Sequence, residues 1–353
     1  MLQPKIFKEG TYTEADIAAF VSQTPNIKVK NLYERQMAEV FEIDNPTLLF
    51  SPDFKEKQAA FVADKRKAAA TKGDYVYYPW TNTLLHVVPE VDYFRIRTNR
   101  NKNIITAEEQ QKLYDFTVGI AGMSVGSNIA NNLTYAGISR SIKLADFDTL
   151  ETSNLNRVRA RLSQVGDPKI EIVAQQIYDV NPYADLHCFE EGLNIETLKE
   201  FMEADPKPRV IFEIIDDFKM KIQMRLMARE RGIPVIMLTN LGDSVMIDIE
   251  RYDLEPNLPI FNGKIGNVGE EILANTISKE DEKKYAIAIV GPENIPPKVL
   301  DSVKKIGMEL VGRPQLMTTA SVSSGLAAYM TRQIALGEAV HSGRRIFKFG
   351  DII

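Results

Sequence analysis

Cysteine is nearly absent: Cys188 is the only one in 353 residues. That excludes an internal disulfide framework and any four-cysteine zinc site, so no zinc is expected, and it fits a reducing compartment. Histidine is almost as scarce. His86, His187 and His341 are scattered, without metal-ligand spacing, and no Ser/His/Asp order stands out; all three read as structural or surface residues. No run of 18 uninterrupted apolar residues occurs, so no membrane span is expected. The start, Met1-Leu2-Gln3-Pro4-Lys5, has no apolar signal-peptide core, which makes the cytoplasm the expected address. Positive charge is not in excess either. With 43 Lys and Arg against 48 Asp and Glu, the net charge of −5 argues against a nucleic-acid partner. Internal repeats and low-complexity tracts are also missing.

What remains is the composition of an ordinary soluble protein, 44% hydrophobic and 26% charged, long enough for two domains or one with an appendage. Asp16–Ser22, Asn31–Phe41 and the Ala/Lys-rich Lys55–Thr71 carry helical patterns, the last with a solvated charged face. Tyr75–Trp80 and Leu84–Val88 flank a polar turn and predict a hairpin, with Trp80 and its tyrosines forming a local core. From about Thr117 the texture changes. Strand patterns at Thr117–Ala121, Ser141–Ala145, Asp185–Phe189, Arg209–Ile215 and Pro234–Leu238 alternate with helices at Asn128–Tyr135, Lys169–Val180, Glu196–Ala204 and Met220–Arg231. Such alternation predicts an α/β fold: a doubly wound, mostly parallel Rossmann-like sheet with helices on both faces. A smaller N-terminal α+β region precedes it, with the boundary placed between residues 104 and 105. Later, Val245–Glu250 is strand-like, Lys279–Lys284 is a charge run for a surface helix or loop, and Ala/Ser-rich Met317–Leu336 predicts a closely packed helix around Ser321, Ser323, Ser324 and Gly325.

The strand ending at Ala121 runs into Gly122-Met123-Ser124-Val125-Gly126-Ser127 and then a helix. Glycines let the backbone turn sharply, and a helix start offers free N–H groups to an anion. Asp146 closes the next strand 20 residues after Gly126, where a carboxylate meets ribose hydroxyls. Asp148 is counted with it. Alone, this pattern suits NAD, FAD, ATP or S-adenosylmethionine equally. The run from Leu144 to Lys169 separates them: Asn154, Asn156, Arg157 and Lys169 place cations and amide donors beside the loop. Hydride transfer needs little such charge, whereas attack on the α-phosphorus of a triphosphate does. Asp216 and Asp217 then follow a strand at its carboxyl edge, where either carboxylate suits Mg²⁺.

Asp146, Ser153-Asn154-Leu155-Asn156-Arg157-Val158, Lys169 and Asp216, in this order and spacing, resemble the ThiF/MoeB adenylating family, which includes the ubiquitin-activating enzymes. The resemblance spans about Arg97–Leu254. It implies ATP and Mg²⁺ as ligands, with Asp146 on the ribose, Arg157 and Lys169 on the phosphates and Asp216 on the metal. Arg97-Thr98-Asn99-Arg100-Asn101 resembles the family's R-x-N-R segment, which implies that Arg100 acts in trans in a homodimer. The strings VYYPW, RTNRNKNIITAEEQ, GMSVGS, LADFDTLETSNLNRV and ERYDLEPNLPIF look like a ThiF-like subgroup, some members of which are joined to a nitroreductase-like domain. The chain departs from the family in lacking the zinc-binding C-x-x-C pairs and an evident thioester cysteine, since Cys188 reads as a small buried residue. It also carries Ala121, Met123 and Ser124 where glycines are usual. A methionine there either narrows the nucleotide pocket or bends the loop differently. Arg159 and Arg161 read as surface residues, with phosphate or an acidic substrate as the other reading.

Three functions are therefore open. The first is ATP-dependent adenylation of a carboxylate, from a peptide or protein C-terminus or a small acid, with release of pyrophosphate. The second is a non-catalytic nucleotide- or partner-binding module. The third, an NAD(P)-dependent oxidoreductase, leaves Arg157, Lys169 and Asp216 unused.

Overall fold

The computed structural model describes residues 3–67, 69–266, 269–274 and 278–351. The chain divides into two compact units, Met1–Gln110 with Tyr178–Tyr183, and Gln111–Ile177 with Ala184–Ile353.

The first unit holds a four-stranded sheet ordered β1-β3-β4-β2. Its strands are β1 (Lys5–Phe7), β2 (Lys28–Asn31), β3 (Asp74–Tyr78) and β4 (Thr83–Val87). The predicted hairpin is β3 and β4, with Tyr78 opposite Thr83 and Asn82 turning at φ 50°. Both edge strands escaped prediction because they are short and β2 is exposed throughout. Asn31, expected in a helix, ends β2, and the helix runs Tyr33–Asp44. The next helix is Phe54–Arg66, shorter than the predicted Lys55–Thr71; Ala68 lies outside the described residues, and Ala69–Thr71 is a 3₁₀ turn. Packing accounts for the aromatic content. His86 stacks between Tyr33 and Tyr75, with centroids at 4.8 and 4.3 Å, and its Nε2 meets the Lys72 carbonyl at 2.7 Å. Tyr183 donates to the buried Asp74 at 2.8 Å, which is how Tyr178–Tyr183 joins this unit despite its distance in sequence. Trp80 is half-buried, and its indole N–H donates to Asp179.

The second unit is the α/β fold that the sequence predicts. Its seven-stranded sheet, among the described residues, runs β11-β10-β9-β8-β5-β6-β7. The strands are β5 (Val118–Ala121), β6 (Ser141–Ala145), β7 (Asp185–Phe189), β8 (Val210–Glu213), β9 (Val235–Asn240), β10 (Ser244–Glu250) and β11 (Gly343–Lys348). β7, β6, β5, β8 and β9 are mutually parallel, and β10 and β11 close one side antiparallel. β5 and β8 are buried at every position, as strands covered on both faces must be. The chain moves outward from β5 through β6 to β7, then crosses back to place β8 on the other side of β5. That reversal puts the switch point at the carboxyl ends of β5 and β8, the usual ligand position in such sheets.

Helix Met317–Leu336 packs through buried Ser323 and Ser324, with Asn132 donating to Ser324 at 3.0 Å, as the small side chains predict. Gly325 instead faces solvent with nothing near it. The run Lys279–Lys284 begins helix Lys279–Val290. Among the described residues, no helix is long and apolar enough to cross a membrane.

Candidate functional site

The loop after β5 is fixed by a glycine that nothing else can replace. Gly122 has φ +95°, and a Cβ there would stand 2.5 Å from the Ile214 carbonyl oxygen on the neighbouring strand's extension. Its own N–H donates to Ala145 at 2.8 Å, while Ile214 N–H donates to Ala121 at 2.9 Å, so β5, β6 and β8 are tied together at the switch point. The helix starts at Val125, earlier than Asn128 as predicted, so Gly126 lies in its first turn, where a Cβ would reach 2.9 Å from Ile120 Cγ2. Met123 is fully buried. Its side chain belongs to the core.

Asp146 closes β6 and is itself buried. One carboxylate oxygen accepts the Met123 N–H and the other the Asp148 N–H at 2.7 Å. Burial pushes this carboxyl above its ordinary range, against the lowering effects of those two donors and Lys169. Each oxygen retains a second acceptor direction, so the arrangement still suits a pair of hydroxyls. Lys169, only 8% exposed at its side chain, donates to Asp148 at 2.8 Å.

Between Asp148 and Lys169 the chain is anchored by Leu150, Val158 and Ile172, packed with Leu155 and Ala160. Asn154 is buried and its side-chain oxygen accepts the Glu151 N–H at 3.2 Å, shaping the turn. Arg157 follows that turn. Its Nε donates to Ser124 Oγ at 3.2 Å and its Nη1 to Asn156 Oδ1 at 2.9 Å, which brings the family-type string onto the glycine loop. Asn128 holds the Arg157 carbonyl from below at 2.9 Å, while its own buried Oδ1 has no partner. Partial burial presses the Arg157 guanidinium below its ordinary range, and Asp216 and Glu151 pull it back up. It stays charged at neutral pH.

Asp216 and Asp217 separate cleanly. Asp217 caps helix Phe218–Glu230, accepting from Met220 N–H at 2.9 Å, a structural job. Asp216, 91% exposed at its side chain, projects at the carboxyl end of β8 and pairs with Arg313 at 2.6 Å. The second unit thus carries Gly122, Ser124, Asp146, Asp148, Asn154, Asn156, Arg157 and Asp216 on the segments that follow β5, β6 and β8, with Gly126 and Lys169 in the first turns of the helices that come next. Arg100 is exposed on a 3₁₀ turn of the first unit. Arg159 and Arg161 are exposed. Cys188 is half-buried, and burial pushes its thiol up to about 12, far from thiolate reactivity at neutral pH. Arg313 and Asn128 escaped sequence reading. Arg313 sits in an irregular stretch without periodicity, and Asn128 looks like any polar residue of a helix.

A Rossmann-like sheet with a cation-flanked glycine loop at its switch point makes this a doubly wound α/β protein. Residues 98–251 match the ThiF family, and the chain carries a ThiF family domain. It is 34% identical over 270 residues to uncharacterized protein MT1398 of Mycobacterium tuberculosis, covering 76% of this chain and 37% of that one. It is 27% identical over 209 residues to the tRNA threonylcarbamoyladenosine dehydratase of Bacillus subtilis, covering 59% of this chain and 78% of the relative. The chain spans well under two thirds of the length of the mycobacterial relative. Among solved structures, E. coli MccB with MccA-N7isoASN aligns with TM-score 0.53 at 16% identity, over 84% of this chain and 77% of that one. The ATP complex of E. coli tRNA N6-threonylcarbamoyladenosine dehydratase, TcdA, aligns with TM-score 0.51 at 16% identity, over 71% and 98%. These two likenesses speak to the fold.

Proposed function

We propose that this chain adenylates a carboxylate, using ATP and releasing pyrophosphate. One observation carries the reading: Arg157 stands 3.2 Å from Ser124 on the glycine loop, with Lys169 and Asp146 on one side and Asp216 on the other. A dinucleotide site for hydride transfer needs little such charge beyond its pyrophosphate loop.

The donor set fits ATP. Asp146 offers acceptor directions to the ribose hydroxyls, and Ser124, Arg157 and Lys169 offer donors to phosphate oxygens. Asp216 is a single exposed carboxylate, which suits Mg²⁺ completing its shell with phosphate oxygens and water; when bound, the ion supplies charge neutralisation. The substrate carboxylate is already ionised at neutral pH, so no side chain must serve as nucleophile. A carboxylate oxygen attacks the α-phosphorus, the bond to the bridging oxygen of pyrophosphate breaks, and an acyl-adenylate remains. Arg157 stabilises the charge that accumulates on the phosphoryl oxygens, and the rest is positioning. A peptide or protein C-terminus or a small acid fits this chemistry. We further assign Arg100 to the partner's site in a homodimer, on the family resemblance.

The test is ATP–pyrophosphate exchange with candidate carboxylates. Arg157→Ala is expected to lose exchange while keeping the wild-type circular dichroism spectrum; wild-type exchange in that variant would refute the assignment. Mixing equal amounts of Arg157→Ala and Arg100→Ala chains should restore roughly a quarter of wild-type exchange, because half of the dimers are mixed and each has one complete site. No restoration removes the trans role of Arg100.

A further inference from the structure

The stretch between Ile306 and Leu316 has little apolar anchorage: Met308, Val311 and Leu316 are exposed at 77%, 105% and 42%. It is tied down by polar contacts with the candidate site instead. Arg313 Nη2 donates to Asp216 Oδ1 at 2.6 Å, and Asn156 Nδ2 donates to the Gln315 carbonyl at 2.9 Å. Beyond it, helix Met317–Leu336 begins, holding the stretch at its far end. Its two polar tethers are thus Asp216 and Asn156, both site residues.

The site has a direction. Asp146, Asp148 and Lys169 lie on the β6 side, Arg157 reaches Ser124 in the middle, and Asp216 with Arg313 lies on the β8 side. Arg157 lies within electrostatic range of both Asp216 and Arg313. Arg313 is the guanidinium that contacts Asp216, while Arg157 keeps Ser124 and Asn156 as its partners. The Arg313–Asp216 pair is open to solvent, with side chains 56% and 91% exposed, so it is weakly held and easily exchanged. A divalent cation that takes the Asp216 carboxylate leaves Arg313 without its partner beside the polyphosphate.

We propose that Arg313 is a nucleotide ligand supplied in cis by the 306–316 stretch, and that it binds the phosphates beyond the α-phosphate, with Asp216 holding it ready until Mg·ATP arrives. This rests on the ATP reading above. A nucleotide ending at the α-phosphate offers Arg313 no such phosphate oxygen, so in this role Arg313 distinguishes ATP from AMP. In this role it also orients the pyrophosphate leaving group, an assignment independent of Arg100.

Calorimetric titration of the full chain with Mg·ATP and Mg·AMP tests it. In Arg313→Ala the Kd for Mg·ATP should rise about 10- to 100-fold, as for a lost charge-assisted contact, while Mg·AMP binding stays within about twofold. Arg313→Lys should fall between, keeping the charge without the fork. Unchanged ATP affinity in Arg313→Ala overturns the assignment, and so does an equal loss for ATP and AMP, which marks general damage to the site. If the wild-type chain itself binds no Mg·ATP, the adenylation reading falls first and this one with it.

Discussion

Arg225 is completely buried between two completely buried glutamates, and replacing it with methionine tests how the floor of the candidate site is held. Its Nη1 meets Glu213 at 2.7 Å, its Nε meets Glu250 at 2.7 Å, and its guanidinium carbon lies 3.9 Å from the centre of the Phe261 ring. Glu213 ends β8, and its Oε1 accepts the Ile215 N–H at 3.1 Å, just before Asp216. Methionine conserves most of the volume, so the lost term is chiefly electrostatic. Glu213 keeps Lys221 at 2.6 Å, but Glu250 is left with only neutral donors, Tyr252 and the Phe261 N–H.

An unpaired buried carboxylate costs several kcal/mol, and protonation is the cheaper escape. From an ordinary value of 4.5, keeping a carboxyl neutral at pH 7 costs about 1.36 × 2.5, or ~3.4 kcal/mol. Because wild-type Glu250 already carries part of this cost, the variant should lose up to ~3.4 kcal/mol near pH 7 and less near pH 5.5, falling by at most about 1.4 kcal/mol per pH unit. The sign follows from the wild type. Burial already pushes Glu250 above its ordinary range; removing Arg225 raises it further, so the variant loses stability as pH rises. At Glu213 burial pushes up as well, but Lys221 and Arg225 outweigh it and hold the group low. Its stabilisation is present above the ordinary carboxyl range and lost only as pH falls through its depressed value, and Lys221 preserves most of it in the variant. Urea unfolding followed by circular dichroism at the two pH values measures both numbers. A loss under about 1 kcal/mol near pH 7, or the same loss at both pH values, would refute the reasoning.

Gly122→Ala should cost about 2–4 kcal/mol through its positive φ and the 2.5 Å approach to Ile214 O, and should weaken ATP binding with it; a stable variant with normal binding contradicts the loop's proposed role. Asp217→Ala should cost about 1 kcal/mol as a lost helix cap and keep its Mg²⁺ dependence, whereas Asp216→Ala should lose that dependence with little change in melting; the reverse result exchanges the two roles.

The alternation of strands and helices from Thr117 onward was legible because buried parallel strands are short apolar runs and amphipathic helices repeat every three to four residues, both local properties. The candidate site was legible for a related reason. Gly122, Asp146, Asn154, Arg157, Lys169 and Asp216 follow strands or lie between them, and a parallel sheet carries those loops to one edge. Other features were not. β1 and β2 are too short and exposed to show a pattern, and they become strands only by pairing with β3 and β4. The inward burial of Met123 depends on the loop's path over the core, which no window of neighbours contains.

The sequence by itself determined the doubly wound sheet, the glycine loop at its first turn and the polar set around it, because each rests on spacing along one strand or helix. The tertiary structure decided which groups share contacts. It placed Tyr183 on Asp74, gave the helix cap to Asp217 and left Asp216 exposed to meet Arg313, 97 residues away. Such pairings depend on where distant segments come to rest, and that position is set by the packing of the whole sheet and its helices.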